Sequence, residues 1–141
     1  MATSHYWLIK SEPNVYPYSQ LEREGKTSWT GVRNFEARNN IRAMRPGDLA
    51  LYYHSGEGKE IVGIARVVSE PGPDPTAPRE DWTAVDVEPV VALGSPVSLA
   101  QVKSTKELAA FQLVTRSRLS VVPVDPAQFR LILKMGKTQL P

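Results

Sequence analysis

The sequence predicts an α+β protein, a small curved or barrel-like sheet of about five or six strands flanked by short helices. Three observations carry this reading. Short β-branched and aromatic runs recur between turn residues. Short helices with readable starts and stops lie between those runs, and strands and helices do not alternate regularly as they would over a parallel sheet. The 141 residues contain no repeat, low-complexity tract or internal linker. A chain of this size buries roughly two thirds of its unfolded surface around one core, so residues 1–141 are expected to form a single domain.

The elements follow in order. Tyr6 to Lys10 (YWLIK) is aromatic and apolar, as a strand should be, and Glu12-Pro13 ends it because proline cannot continue the pairing. Ser19 with Glu22 three residues on forms a capping-box pattern and Gly25 supplies a stop, which predicts a helix over Ser19 to Glu24. A loop carrying Trp29 follows. Ala37, Ile41 and Met44 recur at helical spacing among arginines, predicting a helix from Asn34 to Met44 that ends at Pro46-Gly47. Asp48 to His54 and Glu60 to Ser69 read as strands joined by Ser55 to Gly58. Gly63, inside the second, marks a bulge or a place where another group approaches the backbone, a hint of a ligand.

Pro71 to Asp81 contains four prolines and is expected to be a surface loop, a possible lid or nucleic-acid contact, that cannot pair continuously in a sheet. Trp82 to Leu93 alternates again, with Pro89 indicating an edge or a bend. Ser98 to Lys103 and Lys106 to Leu113 read as short helices, and Leu119 to Val124 as a strand. Asp125-Pro126 pairs an N-cap with proline at the first helical position, opening a helix to about Met135 that Gly136 ends.

Composition narrows the function. With 41% hydrophobic and 23% charged residues the chain is ordinarily globular. Its longest apolar runs are interrupted by Gly63 and Arg66, so no membrane span is expected. The N-terminus lacks a basic stretch followed by an apolar one, and there are no cysteines. Together these point to a cytoplasmic protein, with association to a nucleoid or nucleus left open. Two histidines without an HxH or HExxH pattern argue against a metal site, and no phosphate-cradling glycine loop appears, so no cofactor is expected. His54-Ser55 raises a Ser-His hydrolase, but no GxSxG elbow exists, and adjacent strand residues point to opposite faces. The net charge of +2 is too small to indicate a polyanionic partner. Arg33, Arg38, Arg42 and Arg45 cluster within thirteen residues, but charge alone favours a solvated helix face.

Two segments carry more chemistry. Lys10-Ser11-Glu12-Pro13 places a charge pair and a hydroxyl at a strand end, which by itself is most simply a solvated terminus. Trp29-Thr30-Gly31-Val32-Arg33-Asn34 gathers an aromatic face, a permissive glycine, a cation and an amide just before a helix. Trp29 offers a stacking surface, Asn34 a donor and an acceptor for a base edge, and Arg33 a phosphate contact. Equally, Trp29 can be core, Arg33 a surface charge and Asn34 the helix cap.

These segments, the first taken as Tyr6 to Pro13 and the second with Ala37-Arg38-Asn39, together with Met44-Arg45-Pro46-Gly47-Asp48, Tyr52-Tyr53-His54-Ser55, Ile61-Val62-Gly63-Ile64-Ala65 and Ser117-Arg118-Leu119-Ser120-Val121, closely resemble the EVE domain. That family belongs to the PUA-like superfamily, alongside YTH, ASCH and SRA-type base readers. The resemblance covers nearly the whole chain. It implies a PUA-like barrel flanked by helices and a pocket for a flipped or unpaired modified base. It further implies that Trp29 walls the pocket, that Lys10, Ser11, Asn34, His54 and Ser55 form its polar lining, and that Arg33, Arg38, Arg118 and Ser120 contact the rim or the nucleic-acid backbone. The expected function is a non-catalytic, monomeric reader of a modified base, 5-substituted cytosine in DNA, with modified RNA as the alternative substrate. A second alternative is an ASCH-like amidohydrolase acting on acylated cytidine through Lys10, Ser11 and Glu12. Three consecutive strand residues cannot all face one pocket, which weighs against it.

Overall fold

The computed structural model of the chain describes residues 5–77 and 81–141. Strand β1 (Tyr6–Ser11) is an inner strand of the sheet, with Trp7, Leu8 and Ile9 all buried. A strand covered on both faces is a continuous apolar run and not an alternating one. It pairs in parallel with β3 (Leu49–His54), from Tyr6 opposite Leu49 to Ser11 opposite His54, and antiparallel with β7 (Val121–Val124). β3 pairs antiparallel with β4 (Glu60–Val67), and β4 with the long β6 (Thr83–Ser98). β2 (Thr27–Trp29) adds to the far side of β6, and the two-residue β5 (Gly72–Pro73) pairs with the start of β6. The order is therefore β2-β6-β4-β3-β1-β7.

Register shifts fall at Tyr52/Tyr53 of β3 and at Ile61/Gly63 and Ile64/Ala65 of β4. Such bulges bend a strand and increase its twist. The sheet accordingly curls into an open half-barrel, with β2 and β7 at its ends. Around it lie α1 (Tyr18–Glu24), α2 (Phe35–Ala43), α3 (Leu99–Lys103), α4 (Gln112–Thr115) and α5 (Pro126–Met135). The expected α+β architecture of a curved sheet flanked by short helices is present. No helix among the described residues is long and apolar enough to cross a membrane.

Most predicted elements appear within a residue or two, and the departures have physical causes. α1 starts at Tyr18, one residue before the predicted start, and Ser19 does not cap it. The orphan Tyr18 N–H is instead satisfied by His54 Nε2 at 3.1 Å, a tertiary acceptor in place of a local one. The predicted loop around Trp29 contains β2, three residues that are too short to show a period-2 pattern and that form by pairing with Val85 to Val87 of β6. The predicted helix Lys106 to Leu113 splits into a 3₁₀ turn, Lys106–Leu108, and α4, because Leu108, Phe111 and Leu113 are all buried. Positions 111 and 113 lie on opposite sides of a continuous helix, so an extended Phe111 is what brings both inward.

β6 runs five residues beyond the predicted end. Pro89 lies where the β4 pairing shifts, the bend that a strand proline indicates. Within the predicted Pro71 to Asp81 loop, Gly72 and Pro73 do pair with β6; the part of that segment at 78–80 lies outside the described residues. Gly63 does mark a bulge, but the group that fills its missing side chain is internal. A Cβ there would lie 2.5 Å from Cζ of the buried Tyr18, whose hydroxyl donates to the Ile64 carbonyl at 2.7 Å. The chain is tied across its start by Asp48. One oxygen of its buried carboxylate accepts from Trp7 Nε1 and the Arg45 N–H, both at 3.0 Å, and the other from the His5 N–H at 3.3 Å.

Candidate functional site

β1 leaves the sheet at Ser11, and the Glu12 carbonyl accepts from the N–H groups of Val15 and Tyr16, turning the chain back beside β2. The turn leaves a cavity of about 390 Å³ at the end of β1, lined by Lys10, Ser11, Val15, Tyr16, the Thr27 to Val32 segment and Ser120. That size lies within the range of small-molecule sites. Lys10 and Ser11 of the KSEP segment and Trp29 to Val32 of the WTGVRN segment, separate in sequence, are thus brought to one place, together with Ser120 from the SRLSV segment.

Two rings form the aromatic part. Trp29 is only 9% exposed, packed edge-to-face against Tyr52 with centroids 5.4 Å apart. It is a core residue that also borders the cavity. Tyr16, which sequence reasoning did not single out, stands nearly perpendicular to it, with a centroid separation of 6.3 Å. Tyr16 is held at two points. Its hydroxyl donates to Glu24 Oε1 at 2.6 Å, and its carbonyl accepts from the Tyr52 hydroxyl at 2.6 Å. Burial and the Glu24 carboxylate push the Tyr16 phenol up, so it remains a protonated donor. The overlooked signal was an aromatic residue just after the KSEP block, in Tyr16-Pro17-Tyr18.

The polar lining comes from Lys10, Ser11, Thr27, Ser28, Thr30 and Ser120. The Ser120 carbonyl accepts from the Lys10 N–H at 3.1 Å, and Lys10 Nζ donates to the Ser117 carbonyl at 3.0 Å. Burial lowers the Lys10 pKa. An ammonium has three donors, so one contact to Ser117 leaves donors for a base oxygen or ring nitrogen.

Other expected lining residues lie elsewhere. His54 accepts from the Tyr18 N–H, and Ser55 donates its N–H to the Ser11 carbonyl; neither lines the cavity. The Asn34 side-chain oxygen caps α2 through the Ala37 N–H at 2.9 Å, and Asn34 borders a separate groove with Arg116, Ser117 and Arg118. Glu12 lies against Gly56 and lines a different groove from Lys10 and Ser11. Arg38 lies beside Phe35 and Trp82.

Arg33 is engaged internally. Its guanidinium pairs with Asp74 at 2.9 Å and donates to Thr76 Oγ1 at 3.2 Å. Asp74, with a fully buried side chain, also accepts from the Gly31 N–H at 2.8 Å and from the Thr76 N–H and hydroxyl. Burial alone would push its carboxyl up. The bonds from Thr76, Gly31 and Arg33 outweigh that and hold it well below the usual carboxylate range. Gly31, with φ of +83°, requires the left-handed backbone region that glycine adopts without strain. A residue in the proline-rich segment therefore fixes the loop that walls the cavity, a link between distant positions that no local pattern carries.

The comparisons with known proteins agree in extent. The EVE domain family model matches residues 5–135. Mouse thymocyte nuclear protein 1 is 32% identical, across 96% of this chain and 75% of its own length. A crystal structure of a protein from Agrobacterium tumefaciens superposes with a TM-score of 0.95 at 42% identity, covering 98% of this chain and 97% of the other. The crystal structure of the human THYN1 protein in complex with 5-methylcytosine-containing DNA gives a TM-score of 0.88 at 30% identity, covering 96% of this chain and 99% of the other.

Proposed function

Because this chain belongs to the EVE domain family, we propose that it is a non-catalytic, monomeric single-domain reader that takes one modified base of a nucleic acid into the cavity at the end of β1. The observation that carries this reading is the cavity itself, where an aromatic corner of Tyr16 and Trp29 meets Lys10, Ser11, Thr30 and Ser120. The human relative crystallised with 5-methylcytosine DNA supports 5-substituted cytosine in DNA as the ligand. The reading places the protein with the nucleic acid of the cell, in the cytoplasm or at a nucleoid or nucleus.

The physical logic is that of base extrusion. A base taken out of its stack loses a few kcal/mol of stacking and pairing, which a closed aromatic corner and a set of fixed polar groups replace. Tyr16 and Trp29 supply the apolar surface against which a methyl group gains contact. Lys10 and the hydroxyls of Ser11, Thr30 and Ser120 decide which base edge is satisfied. A methyl in a snug pocket is worth about 1 to 3 kcal/mol, a preference of roughly ten- to two-hundredfold. The separation of Glu12 from Lys10 and Ser11 disfavours amide hydrolysis, and incubation with N4-acetylcytidine is expected to release no acetate.

The test is an equilibrium binding series at fixed salt with single-stranded and duplex DNA carrying cytosine or 5-methylcytosine, and RNA carrying adenosine or N6-methyladenosine. Tighter binding of the methylcytosine strand by native protein, lost in Tyr16→Ala, is the expected result. Equal affinity for modified and plain strands refutes the proposal.

A further inference from the structure

Outside the cavity, the surface carries an aromatic stack that the pocket does not use. Phe35, at the first position of α2, is 63% exposed. Its ring stacks on Trp82, with centroids 5.1 Å apart and planes inclined by 15°. The Arg38 guanidinium stands 4.8 Å from the Phe35 centroid and 5.8 Å from that of Trp82. The second distance is too short for Arg38 to lie beyond Phe35, so the cation sits at the side of the stack while Phe35 keeps its exposure. Arg33, fixed by Asp74, stands 5.7 Å from the Trp82 centroid on the same assembly. Exposed aromatic area contributes nothing to the core, and phenylalanine is not a favoured residue at an open helix position.

We infer that Phe35, backed by Trp82 and flanked by Arg38, is a stacking step for an unpaired base adjacent to the one held in the cavity. The inference rests on the base-reading function proposed above. Continuity with the cavity supports it. Phe35 follows the lining residue Val32 by three positions, so their Cα atoms are at most about 11 Å apart, the length of about three stacked nucleotides. Charge agrees, because the Arg38 guanidinium beside the rings suits a phosphate between successive bases. An aromatic ring over a cationic groove is the way single strands are held without regard to sequence, since every base has a π face. The cavity then selects the modification while the step adds affinity from any neighbouring base.

The experiment measures binding of native protein and Phe35→Leu, which keeps apolar bulk but removes the ring, with circular dichroism confirming that both are folded. The probes are short single strands with one 5-methylcytosine, intact or with an abasic site at each of the three positions on either side. Native protein is expected to lose roughly five- to 150-fold in affinity when one particular neighbour is abasic. Phe35→Leu should lose a similar factor on the intact strand and little more when that neighbour is absent, with its preference for 5-methylcytosine over cytosine unchanged. Native affinity of Phe35→Leu for the intact strand overturns the inference. So does an equal loss on the intact strand and every abasic strand. If native protein ignores the methyl group, the cavity reading fails, and the abasic series on the plain strand still decides the stacking step by the same criteria.

Discussion

Replacing Asp74 with alanine is expected to loosen the cavity wall without touching the cavity. The carboxylate receives four donors, from Gly31, Arg33 and twice from Thr76, while its own side chain is fully buried. Removing one partner of a buried charge pair costs about 3 to 5 kcal/mol when both are buried; with Arg33 38% exposed, the lower end applies, about 3 kcal/mol. For a chain of this length that lowers Tm by about 10 °C. Because Gly31 and Val32 line the cavity, affinity for a 5-methylcytosine strand should fall together with stability. Asp74→Asn separates the causes, since it keeps the shape and part of the acceptor capacity but loses the charge, and should fall between native and alanine. The carboxyl is held well below its ordinary value, so this contribution is complete above pH about 4 and is lost only as pH falls through the lower folded value. Paired thermal melts at pH 7 and binding titrations check this. An Asp74→Ala protein with native Tm and native affinity would show that the loop needs no such anchor.

Three further outcomes are expected. His54 must be unprotonated at Nε2 to accept from Tyr18, and burial lowers its pKa. Its contribution is therefore fully present above pH about 6.5 and is lost as pH falls through the lower folded value, so His54→Ala should cost about 1 kcal/mol in denaturant unfolding at pH 7.5 and flatten the decline below pH 6.5. Gly63→Ala should destabilise by about 1 to 3 kcal/mol, because the buried, hydrogen-bonded Tyr18 ring cannot move aside for the new methyl group; chemical denaturation measures this, and a native midpoint would contradict it. Trp29→Ala should cost about 3 to 5 kcal/mol as a core truncation, whereas Tyr16→Ala should lose more binding than stability, so melts and titrations on the pair divide the core role from the ligand role.

The sequence by itself determined the element order and most boundaries, and its resemblance to the EVE domain marked the two segments that supply part of the cavity wall. The element signals are local: an N-cap followed by proline such as Asp125-Pro126, stop residues such as Gly25, and apolar spacing along α2 all act within a few residues. Asn34 was legible both as a base-reading amide and as a cap, and in the structure its side-chain oxygen caps α2 through the Ala37 N–H. The tertiary structure alone decided which side chains face one another. Tyr16 enters the wall because the chain doubles back at Glu12; His54 leaves it because an orphan helix N–H 36 residues away takes its nitrogen; Arg33 turns inward because Asp74, 41 residues on, is buried beside it. Propensity and periodicity report the conformation of a segment and which of its faces is apolar. The partner of a polar group depends on how the curled sheet brings distant segments together, and that is set by the packing of the whole core.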